Sequence, residues 1–238
     1  FGMDYGVVNN SGTCTSEELK KIVDCALEFG ITEIDTAVIY GDSEKNLGMA
    51  GIEEFKVSSK IPYLKNYEIG DLGRYVSNSL KKLHIPSLET LYLHDERNVN
   101  NLELVAELNN LKDLGKIQKT GVSIYAKYSA KKNISKLESF DIVQCQGNAF
   151  DDNYQAYKSS RNSLYLRSIF LQGLLLCNLE SLPLIFNKEK SLFLAWEKYC
   201  KFYEMSKLEM SLYNVSKSSA NAFVIGVSSL KDLEEIIT

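Results

Sequence analysis

The sequence predicts an α/β fold, a (β/α)8 TIM barrel whose first strand is missing or truncated in this chain. Three observations point to it. Strand-like and helix-like patterns alternate from Thr15 to the end. Polar residues close one strand after another, as at the C-terminal face of a barrel. The G-x-G-x-x-G that an open doubly wound sheet normally carries after its first strand is absent. A length of 238 residues suits one barrel of roughly 250, so 1–238 reads as a single domain.

Each element follows from its pattern. Thr15 to Phe29 reads as a helix: Thr15 and Glu18 form a capping box, Leu19, Ile22, Val23, Ala26 and Leu27 share a face, and Gly30 stops it. Ile31–Asp35 is a short strand, Glu44–Ala50 a short helix and Phe55–Lys60 a second strand. A helix over Ile69–Leu83 places Leu72, Val76, Leu80 and Leu83 on one side, before a third strand, Leu88–His94. Leu102–Leu114 is helical and ends at Gly115; Lys119–Ile124 is the fourth strand. Helices over Ser129–Ser139 and Asp152–Ser160 flank the fifth strand, Asp141–Gln146, and Leu164–Phe170 is the sixth. Two helices, Leu192–Tyr203 and Leu208–Ser218, precede the seventh strand, Ala222–Gly226, and a last helix, Leu230–Ile237. Seven strands are one short of the barrel, and the segment before Thr15 is loop-like. The first strand is therefore expected upstream of Phe1.

Composition excludes several classes. With 45% hydrophobic residues the chain can bury a sizeable core. A net charge of −4 and the lack of a basic stripe argue against nucleic acid as a partner. No run reaches the roughly 18 apolar residues of a membrane span; the run from Leu164 to Cys177 is broken by Arg167, Ser168, Gln172 and Gly173. Five scattered cysteines without C-x-x-C suit a reducing, cytoplasmic setting. With only two histidines, no metal site is expected. Cys145 reads as a small buried residue, and the aromatic stretch around Trp196 as core packing.

The chemistry lies at the strand ends. Asp35, Lys60, His94, Ser123, Gln144 and Ser168 all fall there, and Tyr40 follows Asp35 in its loop. Singly, Asp35 could cap a helix, Lys60 could be an exposed strand end, His94 a core histidine and Tyr40 a packed loop aromatic. Together they suit carbonyl reduction, in which an alkoxide must take a proton. A phenol of pKa about 10 is a weak acid near neutrality. A neighbouring ammonium strengthens it, and a carboxylate holds that ammonium in place. A histidine orients the carbonyl oxygen.

The sequence resembles the aldo-keto reductases over nearly its whole length. FGMDYGVVN looks like the loop after the first strand in bacterial members, and IDTAVIYGDSEKNLG like the family signature. VSSK and LYLHD carry the lysine and the histidine. GKIQKTGVSIY, FDIVQCQGNAFD, RSIFLQGLLL and VIGVSSLKDLEEI are similar to later family segments. The resemblance implies an NAD(P)(H)-dependent oxidoreductase that interconverts an aldehyde or ketone and the alcohol, with a small-molecule carbonyl substrate. Tyr40 would donate the proton, Lys60 and Asp35 would tune it, and His94 would orient the substrate. Ser123 and Gln144 would hold the nicotinamide carboxamide. Ser168, Phe170, Gln172 and Gly173 would line the pyrophosphate, and Ser228, Ser229 and Lys231 the adenosine end. Ile124 replaces a usual asparagine, and Gly147 stands where many members carry a stacking aromatic. Asp232, Ile236 and Gly226 replace a frequent arginine, asparagine and lysine, so the cofactor is left as NADP or NAD. The alternatives are a nucleotide-binding barrel with little turnover, acting as a redox-sensing or regulatory subunit, and a Schiff-base aldolase using Lys60. The oligomeric state is left open.

Overall fold

The computed structural model describes residues 1–2, 14–125, 134–157 and 161–238. The FGMDYGVVN loop from Met3 onward, residues 129–133 of one expected helix and 158–160 of another lie outside the described residues.

Seven parallel strands pair in chain order: β1 (Glu33–Asp35), β2 (Lys56–Ile61), β3 (Leu88–Leu93), β4 (Ile117–Ile124), β5 (Ile142–Gln146), β6 (Ser163–Arg167) and β7 (Ala222–Phe223). Helices α1 (Ser16–Glu28), α2 (Ser43–Ala50), α3 (Asp71–Leu83) and α4 (Leu102–Asp113) come first, followed by the single turn α5 (Ile134–Leu137). Then come α6 (Lys190–Phe202), α7 (Lys207–Ser216) and α8 (Leu230–Ile237). The strands form a curled, open part of a (β/α)8 barrel, as expected of a barrel lacking one strand. Among the described residues β1 pairs only with β2, and β7 only with β6. The seam between them is an apolar cavity of about 320 Å³, lined by Ile34, Phe223 and Ile225 and by Ile22, Ala26 and Leu233 of α1 and α8.

The helices bury the stripes their spacing defines. Leu19, Ile22, Val23 and Ala26 of α1 are buried, as are Leu72, Val76 and Leu83 of α3 and Leu104, Leu108 and Leu111 of α4. Between helices and sheet lies one core cluster, which includes Val57, Leu91, Val122, Val143 and Leu166. Thr15 caps α1 as its spacing implies, its hydroxyl accepting from the Glu18 N–H at 3.2 Å. Trp196 is a core residue: its Nε1–H donates to the Leu175 carbonyl at 2.9 Å, and its ring stands edge-on to Phe150.

Three expectations need correction. The sixth strand stops at Arg167, not Phe170, because Ser168 takes a left-handed backbone (φ 59°) that a strand cannot continue. Over Asp152–Ser160, the described part is a 3₁₀ turn, Asn153–Tyr157. The seventh strand is only Ala222–Phe223; the Val224 N–H still reaches the Leu166 carbonyl at 2.7 Å, but regular pairing has ended.

Candidate active site

Parallel register sets the rim of the sheet. Lys60 lies opposite Tyr92 across β2 and β3, and Ser123 lies opposite Gln144 across β4 and β5. Asp35 ends β1, and His94 follows the last residue of β3. All five strands run the same way, so these side chains gather at one face. Beyond β1 the chain stays tied to β2: the Thr36 and Val38 N–H groups donate to the Ser58 and Lys60 carbonyls at 2.9 and 3.0 Å. A turn closed by the Tyr40 N–H on the Ala37 carbonyl then brings Tyr40 above Lys60. Gly41 comes next with φ +57°, and a Cβ there would sit 2.4 Å from the Gly2 carbonyl oxygen, so only glycine fits.

The expected tetrad is brought together. The Lys60 ammonium, fully buried, donates to the Asp35 carboxylate in a very short contact and to the Thr36 carbonyl at 3.0 Å. Lys60 Nζ stands 5.6 Å from the ring centroids of both Tyr40 and Tyr92. Tyr40 and His94 meet edge to face, with centroids 5.7 Å apart. The other oxygen of Asp35 accepts from Gln144 Nε2 at 3.0 Å. Gln144 Oε1 accepts from the Ser123 hydroxyl at 3.3 Å, and Ser123 Oγ accepts from Arg167 Nε at 3.2 Å. One chain of polar contacts therefore crosses five strands: Lys60, Asp35, Gln144, Ser123, Arg167.

Burial and charge tune these groups. Burial is the largest influence on Lys60 and pushes its ammonium down; Asp35 opposes this, and the charge of Arg167 adds to it. For His94, burial and then the charges of Lys60 and Arg167 lower the pKa to about 4, so the imidazole is neutral near pH 7. Its Nδ1 is buried without a partner among the described residues. Burial pushes the Cys145 thiol up to about 12, so it is no nucleophile.

The remaining expected residues lie apart from the tetrad. Ser168 joins it indirectly: its hydroxyl accepts from Arg167 Nη1 at 3.3 Å. Phe170 is buried in the core, while Gln172 is exposed on a 3₁₀ turn, Leu171–Gly173. Ser168, Leu171, Gln172 and Gly173 all have positive φ, so this loop folds back on itself. Ser229 caps α8, its hydroxyl accepting from the Asp232 N–H at 3.1 Å. The Ser228 and Ser229 N–H groups and the Ser228 hydroxyl all donate to one oxygen of Asp232, at 2.9, 3.0 and 2.7 Å. Burial opposes ionisation of Asp232, but these hydrogen bonds hold its carboxyl below the ordinary range. Lys231 is exposed and lies 3.6 Å from Glu235. Beside Gly147 the space is filled: a Cβ there would meet Tyr154 at 2.8 Å and Leu166 at 3.0 Å, so no aromatic fits at that position.

Two rim residues escaped the sequence reading. Tyr92 is a buried neighbour of Lys60, and Arg167 ends the polar chain. Alternation along β3 hinted at the first. The second stood out only as the charge breaking the run from Leu164 to Cys177.

A phenol, an ammonium, a carboxylate and a neutral imidazole thus share the rim of a curled parallel sheet. The chain belongs to the Aldo/keto reductase family, whose sequence model matches residues 3–238. It is 32% identical over 122 residues to D-arabinose 1-dehydrogenase of Saccharomyces cerevisiae, a match covering 45% of this chain and 36% of that protein. The matched part is thus little more than a third of the length of that relative. In fold it is similar to aldo-keto reductase AKR11C1 from Bacillus halodurans in its holo form: TM-score 0.72, 17% identity, 99% of this chain and 89% of that one. A Pseudomonas aeruginosa protein provisionally assigned to the aldo-keto reductases gives a TM-score of 0.70 at 20% identity, over 100% of this chain and 85% of that one.

Proposed function

We propose that the protein interconverts an aldehyde or ketone and the corresponding alcohol with a nicotinamide dinucleotide, Tyr40 carrying the proton. One observation supports this above all: Asp35, Tyr40, Lys60 and His94 meet at one rim, with the ammonium between carboxylate and phenol. In reduction, the Tyr40 hydroxyl gives its proton to the carbonyl oxygen as negative charge develops there. The Lys60 ammonium stabilises the phenolate left behind. Asp35 holds that ammonium in place, and Gln144 holds Asp35. The neutral His94 donates from Nε2 to the carbonyl oxygen and sets its approach to Tyr40. Lys60 is wholly buried and pinned by Asp35, which speaks against its use as a Schiff-base amine.

The side chains and loop present fit a dinucleotide. Ser123 and Gln144 offer a hydroxyl and an amide to a carboxamide, and the left-handed turn after Ser168 offers backbone to a pyrophosphate. The bound nicotinamide supplies or accepts the hydride. The α8 terminus favours NAD(H) over NADP(H). Asp232 already takes the N–H groups that would otherwise face a 2′-phosphate, and its negative charge repels one. Fluorescence titration of the pure protein with each dinucleotide tests the reading: NADH should bind more tightly than NADPH. Failure of both to bind at millimolar concentration would overturn it.

A further inference from the structure

Arg167 is the last residue of β6 and is half-buried. Its guanidinium donates from Nε to Ser123 Oγ at 3.2 Å, from Nη1 to Ser168 Oγ at 3.3 Å and from Nη2 to the Ile124 carbonyl at 3.1 Å. It lies over the Tyr125 ring, 4.5 Å from its centroid. Every one of these partners is neutral. A guanidinium has five N–H donors, so two are unused in these contacts.

Among the described residues none of the nearby carboxylates forms an ion pair with Arg167. Asp35 is paired with Lys60. Asp95 takes Arg97 through two guanidinium contacts, at 2.8 and 2.6 Å. Glu96 interacts with the Tyr125 backbone, its Oε2 is buried without a hydrogen-bond partner, and no ion pair joins it to Arg167 among the described residues. Among the described residues, therefore, Lys60 is paired with Asp35, whereas no ion pair neutralises Arg167. A half-buried cation without a protein counter-charge is costly, and a ligand oxyanion reduces that cost. The planar fork of arginine suits a carboxylate, which it can bind through two parallel N–H donors. The charge reaches the reacting groups, since Arg167 lowers the proton affinity of both Lys60 and His94.

We infer that Arg167 is a specificity-determining residue that selects carbonyl substrates carrying a carboxylate close to the reacting carbon. The inference rests on the carbonyl oxidoreductase reading above and names its substrate class. A dinucleotide phosphate is the other source of an oxyanion, and the test separates the two.

Binding of benzoate and of its neutral analogue benzamide is measured by calorimetry, without dinucleotide, on the wild type, Arg167→Met and Arg167→Lys. Reduction of two aldehydes, glyoxylate and its neutral ester methyl glyoxylate, is compared on the same proteins. A charge-assisted contact predicts benzoate binding roughly 10- to 100-fold tighter than benzamide in the wild type. That ratio should fall to about one in Arg167→Met and recover in part in Arg167→Lys. The kcat/KM ratio of the two aldehydes should follow it. A wild-type ratio near one overturns the inference even if Arg167→Met fails to fold. So does a ratio unchanged by substitution, or a variant whose loss is in NADH affinity instead. If benzoate discrimination depends on Arg167 but neither aldehyde is reduced with either dinucleotide, the anion site stands and the carbonyl reading falls.

Discussion

In the proposed function, Lys60 sets the chemistry at the residue scale. A buried ammonium is tolerable only with a partner, and Asp35 is that partner. Lys60→Met should therefore cost turnover by orders of magnitude while leaving the half-buried Asp35 without its cation, so a drop in urea midpoint should accompany the kinetic loss. Loss of neither would mean that the pair contributes nothing. His94 makes a second, pH-dependent prediction. Its pKa falls from an ordinary 6.5 to about 4 on folding. Between those values the unfolded chain binds more protons, so stability rises with pH through the window and is lost as pH drops from about 6.5 toward 4. Denaturation of wild type and His94→Gln at pH 7 and pH 5 checks the sign: the wild type should lose more on acidification. Equal losses would place the titrating group elsewhere. Asp35, Tyr40, Lys60 and His94 were legible in the sequence because each sits at or just past a strand end and the signature spaces them. Arg167 was not, because a single cation closing an apolar run carries no spacing signal. It acquires meaning only when β4 and β6 place Ser123 and Ile124 against it.

Elements are held in place by groups their own sequence does not supply. The N-cap of α3 is Gly70, which has no side chain to serve as a cap. Glu107 of α4 supplies one, accepting from the Gly70 and Gly73 N–H groups at 3.0 and 2.8 Å and from the Tyr67 hydroxyl. Local pattern finds capping boxes such as Ser206 with Glu209 but cannot see a cap lent by the next helix. Glu107→Ala should cost about 1–3 kcal/mol in urea denaturation, since it orphans two helix donors; a change below a few tenths would contradict that role. At α8 the cap bears on the proposed preference for NAD(H). Asp232→Asn keeps acceptor oxygen for the Ser228 and Ser229 N–H groups and removes the charge, so the NADH-to-NADPH affinity ratio should fall several-fold. An unchanged ratio would move dinucleotide selection elsewhere. The end of β6 was misplaced because apolar residues continue past it. A left-handed Ser168 breaks the strand, and composition does not encode that.

The whole molecule is a curled parallel sheet with two free edges among the described residues. Its fold class was legible because alternation of strand and helix leaves few topologies, and the right-handed crossover leaves fewer. The short lengths of β1 and β7, three and two residues, were less so. They flank the seam, where pairing on one side is absent. Hydrogen exchange should show this directly: amides of β3 and β4 should be slowest, and those of β1 and β7 fastest among the strands. Uniform protection across all seven would contradict an open seam. At this scale the rim is one connected object, since polar contacts join Lys60 on β2 to Arg167 on β6 through β1, β5 and β4. The central claim is that this rim moves a proton through Tyr40. Single-turnover reduction of a reactive aldehyde by NADH in wild type and Tyr40→Phe, with the NADH Kd of both, tests it most directly. A loss of about 100-fold or more in the reduction rate with unchanged Kd is predicted; equal rates would contradict the claim.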